Sequence, residues 1–179
     1  MNPLQIIEKY YCPDSEVYKI VVKHSSDVAE KALRIAKKHP DKMPDADFIY
    51  EAAMLHDIGI FLTDAPEIGC RGSMPYICHG YLGADLLRAE GLPQHARVCE
   101  RHTGTGLSLE TILANNLPLP HRDLQPETWA EKLICFADKF YSKTHLNNEL
   151  SIEKIREKMH KYGQDTLNRF DEWVRVFSY

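Results

Sequence analysis

Five stretches of this chain each interrupt an apolar, helix-spaced stripe with a histidine or an aspartate, and that pattern restricts the fold more than any other feature. Between Ser15 and His39 the stripe is Val21, His24, Val28, Ala32 and Ile35, so His24 sits on the face that packs inward. Between Ala46 and Asp57 it is Ile49, Ala53 and His56, with Asp57 next and Gly59 ending the helix. The stretch from Pro75 to about Glu90 carries His79, Leu82, Gly83 and Leu86 on one face, and Gln94 to His102 carries His95, Val98, Cys99 and His102. From Glu127 to about Thr144, Trp129, Leu133, Phe136 and Phe140 line one face, and Asp138 joins Ala130, Ile134 and Ala137 on its neighbour. The intervals of 32, 22, 23 and 36 residues (24 to 56, 57 to 79, 79 to 102, 102 to 138) suit antiparallel helices with short or medium connections. Such a bundle can bring these positions to one level. Buried carboxylates need a cation or hydrogen-bond donors, and imidazole with carboxylate is a good ligand set for first-row divalent metals.

The rest of the chain is punctuated as a helical protein. Pro3 opens a segment to Tyr11, Asp14 or Ser15 caps the long second helix, and His39-Pro40 stops it. Residues 61–74, with Pro66, Gly69 and Gly72, read as an irregular lid or substrate loop beside the His-Asp pair. Ser108 starts a small helix, 117–126 is a proline-rich connector, and two amphipathic helices follow Ser151 and Gly163. No strand-like alternation stands out, so the expected fold is all-α: one domain over 1–179, with its core at about 15–145 and a C-terminal helical extension at about 150–178. That last helix either caps the bundle or pairs with a second copy as a homodimer.

Composition removes several function classes. A net charge of −4 with no clustered basic stripe disfavours a nucleic-acid partner. No apolar run is long enough to span a bilayer, and Met1-Asn2-Pro3 does not open a signal peptide. Five cysteines without a CxxC pair point to reduced thiols and a cytoplasmic location. Cys99 and Cys135, three residues before His102 and Asp138, read as packing residues.

His24 in KHSSDVAEKALRIAKK, His56-Asp57 in MLHDIG and Asp138 in CFADKF resemble the H…HD…D signature of the HD superfamily of metal-dependent phosphohydrolases. His79 in ICHGYLGADLL and His102 in ERHTGTGL resemble the two further histidines of its dinuclear members. The resemblance covers roughly residues 15–145 and is similar to small, stand-alone HDIG-type proteins. It implies an HD helical bundle in which His24, His56, Asp57 and Asp138 hold one divalent metal. His79 and His102 hold a second, with Asp57 as a bridge, and Asp57 and His56 stand at the catalytic centre. The metals implied are iron, manganese or a similar ion, with zinc, nickel and magnesium also open. The chemistry implied is attack by a metal-activated water on a small phosphoester, nucleotide or dinucleotide. Arg101, Lys139 and Lys143 are expected either as phosphate contacts or as solvated charges. His95 is expected as a neighbour of the ligands, a substrate contact or a surface histidine.

The resemblance has limits. No Gly-Tyr-Pro motif follows HDIG and no Glu-Asp pair follows the His-Asp, which sets aside the cyclic-dinucleotide and alarmone activities. Ile60 stands where many HDIG proteins carry a lysine. Around ERHTGTG and FADK the chain is similar to HD-type dinucleoside polyphosphate hydrolases. Two alternatives use the same residues: a di-iron oxygenase, and a non-catalytic metal- or nucleotide-binding module.

Overall fold

A short helix α1 (Pro3–Ile7) leads into α2 (Glu16–Ala36), where the Ser15 hydroxyl accepts the amide of Tyr18 at 3.2 Å. The structure, a computed structural model, describes residues 1–177; positions 178 and 179, which close the expected domain and its extension, lie outside the described residues. Along α2 the stripe is buried as its spacing requires, with His24 inside it. Lys31 is buried too, its ammonium 2.5 Å from Glu149 and 3.6 Å from the centre of the Phe140 ring.

Asp45 caps α3 (Ala46–Leu55), which delivers His56 and Asp57 just past its last turn. Next come α4 (His79–Ala89), α5 (Pro93–Glu100) and α6 (Leu109–Ala114). Helix α7 (Trp129–Asp138) follows, and α8 (Ile152–Lys161) and α9 (Gln164–Val176) complete the described chain. Helices α3 and α7 pack on α2, α5 lies against α3, α4 and α7, and the α8–α9 pair meets α7 through α9. Their apolar faces share one core, with Val28, Ile49, Leu55, Leu87 and Phe136 at its centre. The result is the helical fold expected from the stripes.

Three details differ from expectation. Over 63–75 the expected loop forms a small sheet in the order β2–β1–β3, from β1 (Thr63–Ala65), β2 (Cys70–Arg71) and β3 (Met74–Pro75), so Pro75 ends a strand and the helix expected from it begins at His79. Asp64 pairs with Arg71 antiparallel and with Pro75 in parallel. Strands of two or three residues are too short to show alternation, and Gly69, at φ +80, makes the left-handed turn before β2. Second, α7 ends at Asp138 instead of near Thr144. Lys139, Phe140 and Tyr141 bond three residues back, at 3.1, 3.3 and 3.2 Å, and tighten the chain out of the helix. Lys143 therefore lies on the connection to α8. Third, Trp129, expected on an apolar face, is 36% exposed at the start of α7, with the Lys42 and Lys132 ammoniums 5.2 and 5.5 Å from its ring.

The start of α7 matters to the site because this helix carries Asp138. Thr128 and Glu131 form a reciprocal capping box there, at 3.2 and 3.3 Å. Thr128→Ala should cost about 1 kcal/mol of stability, read as a lower urea midpoint at unchanged slope.

Candidate metal centre

The ends of α3, α5 and α7, the start of α4 and the middle of α2 converge on Asp57, whose two carboxylate oxygens face different partners. Oδ2 lies 3.2 Å from the Nε2 atoms of both His24 and His56. Asp138 Oδ1 approaches the same two nitrogens at 2.9 and 3.4 Å. On the other side, Oδ1 of Asp57 lies 3.3 Å from His102 Nε2 and 3.5 Å from His79 Nε2. The ligand atoms thus fall into two groups, His24, His56, Asp57 and Asp138, and Asp57, His79 and His102, all buried and sharing Asp57.

The local fold determines how three of these rings are held. His56, His79 and His102 each direct Nδ1 at the carbonyl three residues earlier, of Ala53, Tyr76 and Cys99, at 2.5, 2.6 and 2.6 Å. A carbonyl only accepts, so each Nδ1 carries a proton, and in the neutral ring, the form a metal binds, the Nε2 lone pair points into the centre. Consequently His79 and His102 face one another with lone pairs across 2.9 Å. Two acceptors at that distance require a shared proton or a metal ion.

A proton is poorly placed to fill that role. Burial, and then the neighbouring His102, pushes His79 down to about 3. Burial likewise holds His102 below its ordinary value. His56 behaves differently: burial opposes its charged form, but Asp57 and Asp138 outweigh it and raise His56 to about 9. Burial also works against charge on Asp57 and Asp138. The His56 imidazole and Lys143 pull Asp57 well below the carboxylate range, and Lys139 with Lys143 does the same for Asp138. Both aspartates are therefore anionic. Asp57 Oδ1 has no hydrogen-bond partner although buried, and neither does His24 Nδ1. Orphaned acceptors around shared carboxylates are the donor set a divalent transition metal fits.

Comparison with known proteins follows the same division of the chain. The pattern of the HD domain family matches residues 21–143, a span that contains all six of these residues. The chain belongs to the HD family. A crystal structure of the Listeria monocytogenes phosphodiesterase PgpH HD domain superposes with a TM-score of 0.57 at 18% identity, covering 98% of this chain and 97% of that one. At that identity the likeness concerns the fold. Two curated relatives are named tRNA (cytidine(56)-2'-O)-methyltransferase. The one from Picrophilus torridus is 30% identical over 151 residues, 83% of this chain and 38% of that protein. The one from Thermoplasma volcanium is 29% identical over 177 residues, 98% of this chain and 45% of that protein. The chain spans less than half the length of these relatives.

The other expected contacts divide. In this HD protein Lys143 Nζ lies 2.7 Å from Asp57 Oδ2, and Lys139 donates to Asp138 Oδ2 at 2.6 Å and to the His102 carbonyl at 3.1 Å. Both lysines belong to the centre. Arg101 does not: its guanidinium donates to the Gln125 carbonyl at 2.5 Å and to Glu127 at 2.7 Å, neither of which is a ligand candidate. His95 is buried against Phe48, 4.8 Å between ring centres, with Nε2 at 3.3 Å from Glu51. Residue spacing put it on the His102 side of α5, but its partners come from α3.

Tyr76 escaped the sequence reading. Its ring stacks on His79 at 4.7 Å with planes 29° apart, its carbonyl accepts the His79 Nδ1 proton, and its phenol faces Lys143. The only signal was its position three residues before a ligand candidate, which Ala53 and Cys99 share. The packing thiols also have a second role. Cys99 donates to the His56 carbonyl at 2.9 Å and Cys135 to the His102 carbonyl at 3.3 Å. Among the described residues no helix is long and apolar enough to cross a membrane.

Proposed function

We propose that this HD protein is a metal-dependent phosphohydrolase acting on a small phosphoester, nucleotide or dinucleotide. One observation carries the reading: the two oxygens of buried Asp57 face two separate ligand groups, 3.2 Å from His24 and His56 on one side and 3.3 and 3.5 Å from His102 and His79 on the other. His24, His56, Asp57 and Asp138 would hold one divalent ion, and His79 and His102 with Asp57 a second. The ions supply an acidified water and charge neutralisation for the phosphoryl oxygens. The chain's own part is positioning. Carbonyls of Ala53, Tyr76 and Cys99 keep three imidazoles in one tautomer, and the ionised aspartates hold the site open to cations. Lys139 and Lys143 add positive charge at the same place, so the loaded site attracts an anionic ester.

The names of the tRNA methyltransferase relatives raise an RNA as another class of substrate. We favour a small molecule because the net charge is −4 and no basic stripe adjoins the site in sequence. Five free cysteines, four of them buried, agree with a reducing compartment such as the cytoplasm.

The test is reconstitution of metal-stripped protein with manganese or iron(II), followed by a panel of phosphomonoesters, nucleotides and dinucleotides. Phosphate or nucleotide release with manganese alone, without oxygen uptake, is the expected result. Oxygen consumption with iron and silence across the panel would point to the oxygenase chemistry of the same ligand set. Ligand-induced stabilisation without turnover would point to a binding module. His79→Ala should lower metal content by one ion per chain and slow hydrolysis by about a hundredfold or more, since it removes one group that stabilises transition-state charge.

A further inference from the structure

Tyr76 is held from three directions at the edge of the metal centre. One face of its ring lies on His79, its carbonyl fixes the same histidine at 2.6 Å, and its phenol faces the Lys143 ammonium. The residue is nonetheless 36% exposed, whereas His79 beneath it is 4% exposed. The phenol meets Lys143, whose side chain is only 12% exposed, so the hydroxyl end lies inward. The exposed part of the side chain therefore belongs to the outer face and edge of the ring. An immobilised aromatic face open to solvent, beside a site for phosphoryl oxygens, suits the flat π-system of a base. Tyr76 also follows directly on β3, so the small sheet over 63–75 sets its position.

We propose that Tyr76 is the specificity-determining residue of the site: its free ring face stacks the base of a nucleotide whose phosphate lies at the metal centre, so base-bearing phosphoesters are preferred over plain sugar phosphates. This rests on the phosphohydrolase reading. It assigns the choice of substrate to a residue outside the ligand set and outside the lysines.

The experiment compares the four common nucleoside 5'-monophosphates with ribose 5-phosphate, which has the same ester and no base. Hydrolysis and equilibrium binding are both measured, on manganese-loaded wild type and on Tyr76→Ala, Tyr76→Phe and Tyr76→Trp, with metal content determined for each. In the wild type at least one nucleotide should bind more tightly than ribose 5-phosphate by about tenfold to a hundredfold, as stacking on an aromatic side chain implies. Tyr76→Ala should erase that ratio, with a KM-weighted loss on the nucleotides; whatever the lost support of His79 and Lys143 costs in rate or metal content falls on ribose 5-phosphate too and cancels in the ratio. Tyr76→Phe and Tyr76→Trp should retain it. No base preference in the wild type, or an equal loss on both kinds of substrate in Tyr76→Ala, overturns the proposal. Base-dependent binding that Tyr76→Ala abolishes, in a protein that hydrolyses nothing, would sink the phosphohydrolase reading and leave the stacking role standing. Hydrolysis without base preference would do the reverse.

Discussion

Asp57→Ala is expected to lose bound transition metal and hydrolysis together, with a rate about a thousandfold or more below wild type. Asp57 is the only residue in both ligand groups, so its removal takes a donor from each. The change also leaves Lys143, now 2.7 Å from Asp57 Oδ2, beside four imidazoles without that counter-charge, which further disfavours a cation there. Asp138→Ala makes the informative comparison, since Asp138 belongs to the first group alone and His79 and His102 keep their shared carboxylate. Elemental analysis and a phosphate-release assay on both variants check the point. If Asp57→Ala kept its full metal content and rate, the centre would lie elsewhere in the molecule.

Five of the six ligand candidates were legible in the sequence because each interrupts an apolar helical stripe, where a charged or polar group needs a reason to be, and Asp57 was legible as the neighbour of His56 in the His-Asp pair. His24 shows this best: spacing alone put it on the inward face of α2, and it is fully buried. The contacts that depend on direction were not legible. Arg101 and His102 are neighbours in sequence, yet the last turn of α5 sends the guanidinium to Glu127 while the imidazole enters the centre. Lys143 was expected to lie on a helix, but α7 stops at Asp138 and Lys143 reaches Asp57 from the connection that follows. Tyr76 has no stripe to belong to, because it follows a two-residue strand and precedes a single turn of 3-10 helix. Short elements of this kind are specified by tertiary packing, which periodicity does not encode.

The second large effect is on stability and concerns Gly59, just past the His-Asp pair. Its φ of −84° suits any residue, so only space requires glycine there. A Cβ at this position would stand 2.3 Å from the His79 carbonyl oxygen and 2.4 Å from the Gly83 nitrogen, both backbone atoms of α4. The turn after α3 and the first turns of α4 therefore touch backbone to backbone, two residues from Asp57, which lies 3.2 Å from His56 and 3.5 Å from His79. Backbone on both sides cannot rotate away as a side chain would. Gly59→Ala should cost about 3 kcal/mol, lowering the melting temperature by roughly 6–12 °C for a chain of this size. The same displacement should weaken metal binding, since it pushes the two ligand groups apart. Calorimetry on the metal-free protein separates the packing cost from the loss of bound metal, and an unchanged melting temperature would show that the α3–α4 contact has slack.

The central claim, that one buried carboxylate serves two metal sites, is tested most directly by crystals of the manganese- or iron-loaded protein measured at the metal absorption edge. Two anomalous peaks, one on each side of Asp57, with His24, His56 and Asp138 around the first and His79 and His102 around the second, are the predicted result. A single peak, or one away from Asp57, would contradict it.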